Sequence, residues 1–383
     1  MLGRPIHPSR WRGRNVRILF AGGGTGGHLY PGLAIARAMQ RIDPDIKPFF
    51  IGAHRGIEKS VLPTTGFPFE LLDLHPLYRA RPWENWKTLR GAVTAWRRLS
   101  KVVSDERPAC VVGTGGYASG IALAYARIHN IPYILQEQNS FPGLTTRFFS
   151  SRAAQVHIGF PEAANSLKRG SGTNIFDSGN PIEPPPETRP STDAARAIWG
   201  FPTSGGRVML IYGGSQGSKA INDTVAAWIK RGIPDDLFII WATGRGTHAD
   251  YADLESTGIK VRAYLSPVSD AYAATDFALS RGGAIATAEL CAWGIPPIVV
   301  PLPTAAADHQ TANARALAAA GAAELILQSD LGVDSLDRAV RTLLANPQLL
   351  ATRAEAVRLR ARPRAAEEIA RRILELVRNN VLE

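Results

Sequence analysis

At 383 residues, 45% of them hydrophobic and 20% charged, the chain is long enough for two domains that each bury a core, and its composition leaves little room for long disordered segments. Its two cysteines, Cys110 and Cys291, lie far apart in apolar segments with no CxxC spacing and no histidine cluster, which argues against a disulfide framework or a zinc site and fits a reducing cytosol. A net charge of +11 points to an anionic partner surface, either nucleic acid or an acidic lipid leaflet.

The first apolar run, Val16 to Ala21, is predicted to be a strand. Glycines cut it off before it could serve as a signal peptide, and no later run approaches the ~18 uninterrupted apolar residues of a membrane span, so a cytoplasmic protein is expected. Gly22 to Gly27 follow, formally GxGxxG, and then an apolar-periodic helix through Leu33, Ile35 and Met39. Glycines after a first strand let backbone amides approach a phosphate at a helix N-terminus. A nicotinamide enzyme would also need an acid at the end of the next strand, near Phe50 to Ala53, and none stands there. Asp43 and Asp45 come before that strand and read as a solvated turn, serving neither as a ribose clamp nor as a metal site. His28, directly after the last glycine, is a candidate to accept a hydroxyl proton, against the plain alternative of a hydrogen-bonded surface histidine.

Further along, Leu77, Tyr78 and Trp83 interleave with Arg79 and Arg81, the composition of an interfacial membrane anchor. The helix after it repeats Leu89, Val93 and Trp96 among basic residues and reads as an ordinary sheet-covering helix. A strand over Ala109 to Val112 leads into another glycine turn, Gly113 to Ser119, and a further strand covers Tyr133 to Gln136. Asn180 to Ser191 carries prolines that forbid a continuous helix and suit an extended connector. The expected domains are 1–180 and 181–383, with the last helix crossing back to the first.

The second half opens like the first: a strand over Arg207 to Tyr212, then Gly213-Gly-Ser-Gln-Gly217, then a helix through Ile221, Val225 and Trp228. Strands over Phe238 to Ala242, Phe277 to Ser280 and Pro297 to Val300 follow. The predicted fold is α/β, with two Rossmann-like parallel-sheet domains facing across a cleft. GxSxG between strand and helix also fits a nucleophile elbow, with Ser215 as nucleophile, His248 or His309 as base and Asp276 or Asp308 as acid. Phosphate binding by Ser215 uses the duplicated architecture and is preferred. A fourth loop, Ser280 to Ala284, opens a helix whose second turn holds Glu289, placed to take two ribose hydroxyls or simply solvated. No nucleic-acid readout motif accompanies the positive charge, so no nucleic-acid partner is expected.

Taken in order, Gly22 to Ala34, Gly113 to Tyr117, Glu137-Gln-Asn139 with Pro142-Gly143, Gly179-Asn-Pro181, Gly213 to Gly217, Ser280 to Glu289 and Asp308-His-Gln310 with Asn313-Ala314 closely resemble the MurG family. The resemblance implies a GT-B fold and inverting, metal-independent and cofactor-free transfer of N-acetylglucosamine from UDP-GlcNAc. The acceptor it implies is the 4-hydroxyl of muramic acid on an undecaprenyl diphosphate lipid, with the enzyme peripheral on the cytoplasmic face of the membrane among the cell-wall machinery. It further implies that Gly24, Thr25, Gly26, Gly27, Gly115, Gly116 and Tyr117 cradle the acceptor diphosphate, with Thr25 to Gly27 also near the donor. His28 would stand at the chemistry, with Glu137 as the next candidate, and Asn139 near the donor sugar. Ser215 would contact the donor phosphate, and Leu265 with Gly283, Ala284, Ile285 and Ala286 the uracil and phosphates. Glu289 would take the ribose, and Gln310 with His309 the sugar hydroxyls. The chain departs from the family at Gln136, often histidine; at Thr146, near a usual asparagine; and at Glu183, where an arginine commonly follows the Gly-Asn-Pro turn.

Overall fold

The structure is a computed structural model and describes residues 16–74, 85–214 and 216–381. The membrane-anchor residues Leu77, Tyr78, Arg79, Arg81 and Trp83, and Ser215, lie outside the described residues. The chain forms two compact units, dividing at Gln138/Asn139, Phe141/Pro142, Pro181/Ile182 and Pro363/Arg364.

The first unit is a seven-stranded parallel sheet in the order β3-β2-β1-β4-β5-β6-β7. Its strands are β1 (Val16–Gly22), β2 (Ile46–Ala53), β3 (Phe69–Leu72), β4 (Cys110–Gly115), β5 (Tyr133–Glu137), β6 (Gln155–Ile158) and β7 (Asn174–Asp177). Its helices in chain order are α1 (Gly26–Ile42), α2 (Glu58–Val61), α3 (Asn85–Glu106), α4 (Gly116–Ile128) and α5 (Leu144–Phe149). β1 is buried on both faces through Ile18, Leu19, Phe20 and Ala21, which is why it reads as an unbroken apolar run rather than an alternating one. Strand order reverses between β1 and β4, so the glycine loops that leave both strands open at one switch point. α3 covers the sheet through Ala95, Leu99 and the half-buried Trp96, while Val93 stays half exposed, so the sheet-covering reading holds for the helix.

The second unit is a six-stranded parallel sheet in the order β10-β9-β8-β11-β12-β13. Its strands are β8 (Arg207–Tyr212), β9 (Leu237–Ala242), β10 (Ile259–Arg262), β11 (Phe277–Ser280), β12 (Pro297–Val299) and β13 (Glu324–Leu325). Its helices are α6 (Thr192–Ile198), α7 (Lys219–Arg231), α8 (Ser269–Ala274), α9 (Ala284–Trp293), α10 (His309–Ala319), α11 (Val333–Ala345) and α12 (Pro347–Leu359). Its switch point lies between β8 and β11, again where two glycine loops leave the sheet. The connector runs without regular structure and is pinned at Arg189, which donates to the carbonyls of Ala292 (2.9 Å) and Trp293 (3.3 Å) at the end of α9 and lies over the Trp293 ring.

The final helix, α13 (Ala365–Val381), packs with the first unit. Ile369, Ile373 and Val377 repeat at helical spacing and share a core with Ile35 and Met39 of α1. Asp43 is not merely a solvated turn residue: its Oδ2 lies 3.4 Å from Arg378 of α13, with both side chains mostly buried.

Candidate active site

In the first unit the loops after β1 and β4 interlock. Gly23 N–H donates to Gly115 O (3.2 Å), and Thr114 Oγ1 donates to His28 O (2.7 Å). Gly115 has φ +105°, and a Cβ there would stand 2.8 Å from His28 Cδ2 and 3.0 Å from Nε2. Glycine is required at that position by both backbone and space. Thr25 and Gly115, the residues before α1 and α4, make no side-chain capping bond, so no capping side chain covers either helix start, although His28 N–H donates to Thr25 O (3.2 Å). Gly24, Thr25 and Gly27 are exposed, as is half of Tyr30. The loops therefore bring together Gly24, Thr25, Gly26, Gly27, His28, Gly115 and Gly116, all named from sequence, with Tyr117 in the first turn of α4.

His28 is half-buried, with Nδ1 3.1 Å from Gly23 O and 3.5 Å from Thr25 Oγ1. A carbonyl can only accept, so in the neutral ring the proton sits on Nδ1 and the lone pair is on Nε2. Glu137 is in a different situation. It is 3% exposed, and its Oε2 accepts from Gly143 N–H (3.0 Å) and Thr146 Oγ1 (2.6 Å). Two of the three departures from the family thereby gain partners: Thr146 holds Glu137, and Gln136 donates to Asn180 Oδ1 (3.3 Å) while accepting from Gln138 Nε2. Sequence reasoning missed Glu58, whose buried carboxylate accepts from Gly24 N–H (2.8 Å); the signal was its flanking Gly52 and Gly56.

In the second unit, Asn139 is held by Asn313, whose Nδ2 donates to Asn139 Oδ1 (3.1 Å) and to Gly282 O (3.0 Å) while its Oδ1 accepts from Ser140 N–H (2.8 Å). Asn313 is wholly buried and ties the Asn139 segment to the turn before α9. Gly283, at the start of that helix, makes no side-chain cap and has open space where a Cβ would be, so the amides of Ala284, Ile285 and Ala286 begin an uncapped helix. α7 differs: Ser218 caps it internally, accepting from Ile221 N–H (3.4 Å) and from Arg281 Nη2 (2.6 Å). Arg281 is 9% exposed, donates also to Val300 O and Pro301 O (3.1 Å each), and has its pKa lowered by burial. This buried cation, which joins the Ser280 to Ala284 loop to Ser218 at the start of α7, was not singled out from sequence.

Glu289 lies in the second turn of α9. It is largely buried, which raises its pKa, and the hydroxyl of Tyr272 donates to its Oε2 (2.9 Å), which opposes the rise. The solvated reading of Glu289 is thereby corrected. Gln310 Oε1 accepts from Leu302 N–H (3.0 Å), and His309 Nδ1 lies 2.7 Å from Ala306 O. Just before them Ala307 and Asp308 both hold φ +53°, in the left-handed region that is strained for alanine and better tolerated by aspartate. Leu265 is 9% exposed and contributes mainly to the core beside α8.

The hydrolase constellation does not assemble. Asp276 is engaged by Arg196 (2.9 Å), Arg207 (2.8 Å) and Val208 N–H (2.8 Å) at the start of β8, a strand's length from the Gly213 to Gly217 turn at its other end. Asp308 accepts from Thr311 (2.6 Å), and His248 faces Thr243 (3.3 Å), so among the described residues neither histidine is paired with a carboxylate. Nor do the described residues contain a group of His, Cys, Asp or Glu that could hold a metal ion.

Residues 18–158 match the glycosyltransferase family 28 N-terminal domain, and residues 208–369 match the glycosyltransferase family 28 C-terminal domain. A "UDP-N-acetylglucosamine--N-acetylmuramyl-(pentapeptide) pyrophosphoryl-undecaprenol N-acetylglucosamine transferase" of Prosthecochloris aestuarii is 37% identical over 94% of this chain and 99% of its own length. The protein of the same name from Salinibacter ruber is 38% identical over 95% and 97%. Among solved structures, MurG of Acinetobacter baumannii superposes with a TM-score of 0.74 at 27% identity, covering 94% of this chain and 99% of that one.

Proposed function

We infer the reaction of this chain from the family to which it belongs, the MurG enzymes of glycosyltransferase family 28. It is a UDP-GlcNAc-dependent N-acetylglucosaminyltransferase of peptidoglycan synthesis. It moves the sugar with inversion to the 4-hydroxyl of N-acetylmuramic acid on the undecaprenyl-diphosphate-linked pentapeptide, the step from lipid I to lipid II.

The observation that carries the assignment of roles is the 3.1 Å contact of His28 Nδ1 with Gly23 O. With Nδ1–H given to Gly23 O, Nε2 is free to take the proton of the attacking hydroxyl as its oxygen bonds to the anomeric carbon. The bond from that carbon to the β-phosphate oxygen breaks, and its electron pair leaves on UDP. His28 is preferred over Glu137 because Glu137 is buried and committed to Gly143 and Thr146. In the first unit the uncapped starts of α1 and α4, with Gly24 to Gly27, Gly115, Gly116 and Tyr117, take the acceptor diphosphate, and Thr25 to Gly27 also border the donor.

In the second unit the start of α9 and the turn holding Ser215 take the donor phosphates, with the Arg281 cation beneath to favour charge developing on the leaving group. Glu289 accepts from the ribose hydroxyls, Leu265 borders the uracil, and Asn139, His309 and Gln310 orient the sugar. The reaction is tested by incubating UDP-GlcNAc labelled in the sugar with a short-chain lipid I analogue. Label appearing in a disaccharide lipid supports the account, and label appearing only as free N-acetylglucosamine overturns it.

The protein docks peripherally on an anionic membrane at its cytoplasmic face. No helix among the described residues is long and apolar enough to cross a membrane. What supports docking is the charge of +11, the Leu77 to Trp83 composition, and an exposed apolar group on the first unit. In that group Ile128, Leu144 and Phe148 are each more than half exposed, with the Arg127 guanidinium 5.7 Å over the Phe148 ring. Parent protein should sediment with acidic vesicles more than with neutral ones. Replacing Arg79 and Arg81 by glutamate and Leu77 by serine should abolish the difference while sparing UDP affinity; equal sedimentation of parent and variant contradicts it.

A further inference from the structure

Glu58 opens α2 and is 0% exposed. One oxygen, Oε1, accepts from both Gly24 N–H (2.8 Å) and Ala53 N–H (3.1 Å). The other, Oε2, is buried with no hydrogen-bond partner. Neither donor carries a charge, so this carboxylate is withdrawn from water with only partial compensation, an arrangement that costs stability and that an amide side chain, which keeps one acceptor without the charge, would relieve. The surroundings are nevertheless shaped for it. A Cβ on Gly23 or Gly56 would overlap the carboxylate, and one on Gly52 would lie 2.9 Å from Glu58 Cβ. Three glycines thus clear space for a group that stability alone does not favour.

The carboxylate also acts on a conformationally free part of the chain. Gly24 holds φ +89° in the exposed turn between β1 and α1, and no side chain caps that helix. A bond to a charged acceptor is shorter and stronger than one to a neutral oxygen, so the Gly24 N–H bond is the firmest tie the turn has to the sheet end at Ala53. We propose that Glu58 is the positioning residue of the first glycine loop, holding Gly24 so that Thr25, Gly26, Gly27 and His28 face the acceptor's diphosphate and hydroxyl, without itself touching substrate. This rests on the assignment of that loop to the acceptor.

Glu58→Leu keeps bulk and removes both acceptor oxygens, whereas Glu58→Gln keeps one. For each, KM for a lipid I analogue, KM for UDP-GlcNAc, kcat and amide hydrogen exchange across residues 22–28 are measured. In Glu58→Leu the exchange across 22–28 should quicken at least tenfold with that of α9 unchanged, and the acceptor KM should rise at least tenfold with the donor KM within twofold. Glu58→Gln should fall between, with exchange two- to fivefold faster and acceptor KM raised no more than threefold. Unchanged exchange across 22–28 in Glu58→Leu, or an unchanged acceptor KM and kcat, overturns the proposal. Faster exchange with a raised donor KM in place of the acceptor KM leaves the positioning role standing and refutes the acceptor assignment instead. Should Glu58→Leu fail to fold, Glu58→Gln carries the test, and parent-like exchange across 22–28 in that variant overturns it.

Discussion

Gly115→Ala should damage catalysis through His28 without touching the donor site. The new Cβ would stand 2.8 Å from His28 Cδ2 and 3.0 Å from Nε2, against ordinary carbon contacts of about 3.5 Å, so the imidazole must retreat by roughly 0.7 Å. A displacement near 1 Å at the reacting centre can cost about 100-fold in rate. Alanine at φ +105° also strains the backbone, lowering stability by about 1 to 3 kcal/mol. The assay is kcat at saturating acceptor and donor, with melting temperature recorded alongside. A fall of about 100-fold is expected, of the order a general base supplies, with KM for UDP-GlcNAc within about twofold. His28→Ala should lose about 100-fold or more, and the double variant should be no more than about threefold worse than His28→Ala, because both changes remove one function. If Gly115→Ala keeps parent kcat, or if its cost is undiminished in the His28→Ala background, the glycine does not act through the histidine and the reasoning fails.

Glu289→Ala should weaken UDP binding by about 1.5 to 3 kcal/mol per charged hydrogen bond lost, and calorimetry showing parent affinity contradicts the ribose role. The pKa of Glu289 is raised by burial, and the ionised form is the acceptor, so UDP affinity should fall on acidification at a pH above the ordinary carboxylate range. Tyr272→Phe removes the bond that opposes the rise and should move the fall to still higher pH; identical pH profiles in the two proteins speak against the pairing. Ser215→Ala should mainly raise the donor KM, and a fluorophosphonate should leave Ser215 unlabelled; covalent labelling with loss of all turnover would revive the hydrolase. Glu183 is an exposed carboxylate in the connector, and Glu183→Arg should tighten UDP binding by up to about 1 kcal/mol at low salt. An unchanged dissociation constant removes that position from the donor site.

The four glycine turns were legible because each follows an apolar strand and opens a periodic helix, so pattern and turn chemistry agree. What sequence could not supply was the pairing of side chains brought together by topology. Beyond its flanking Gly52 and Gly56 nothing local marks Glu58, 34 positions from Gly24, and only the return of β2 beside β1 brings it within reach of that amide. Asn313 enters the sequence reading only as part of a family motif with no role attached, yet it is wholly buried and binds both Asn139, some 174 positions earlier, and Gly282. Tyr272 and Arg281 sit in apolar or glycine-rich surroundings that read as core, and their polar ends matter only because Glu289 and Ser218 lie within reach. Asp43 was read as solvated because a turn aspartate usually is, and its partner Arg378 comes from the last helix. The GxSxG turn shows the converse limit: its local pattern fits an elbow as well as the preferred phosphate loop, and only the structure puts Asp276 at the far end of β8.

The most direct measurement is UDP release with and without the lipid acceptor, combined with the anomeric configuration of the product by NMR. The account predicts negligible release without acceptor, release matched one for one by disaccharide lipid when it is present, and a β linkage formed by a single displacement. Release at an equal rate without acceptor, or a product that retains the donor's α configuration, would contradict it.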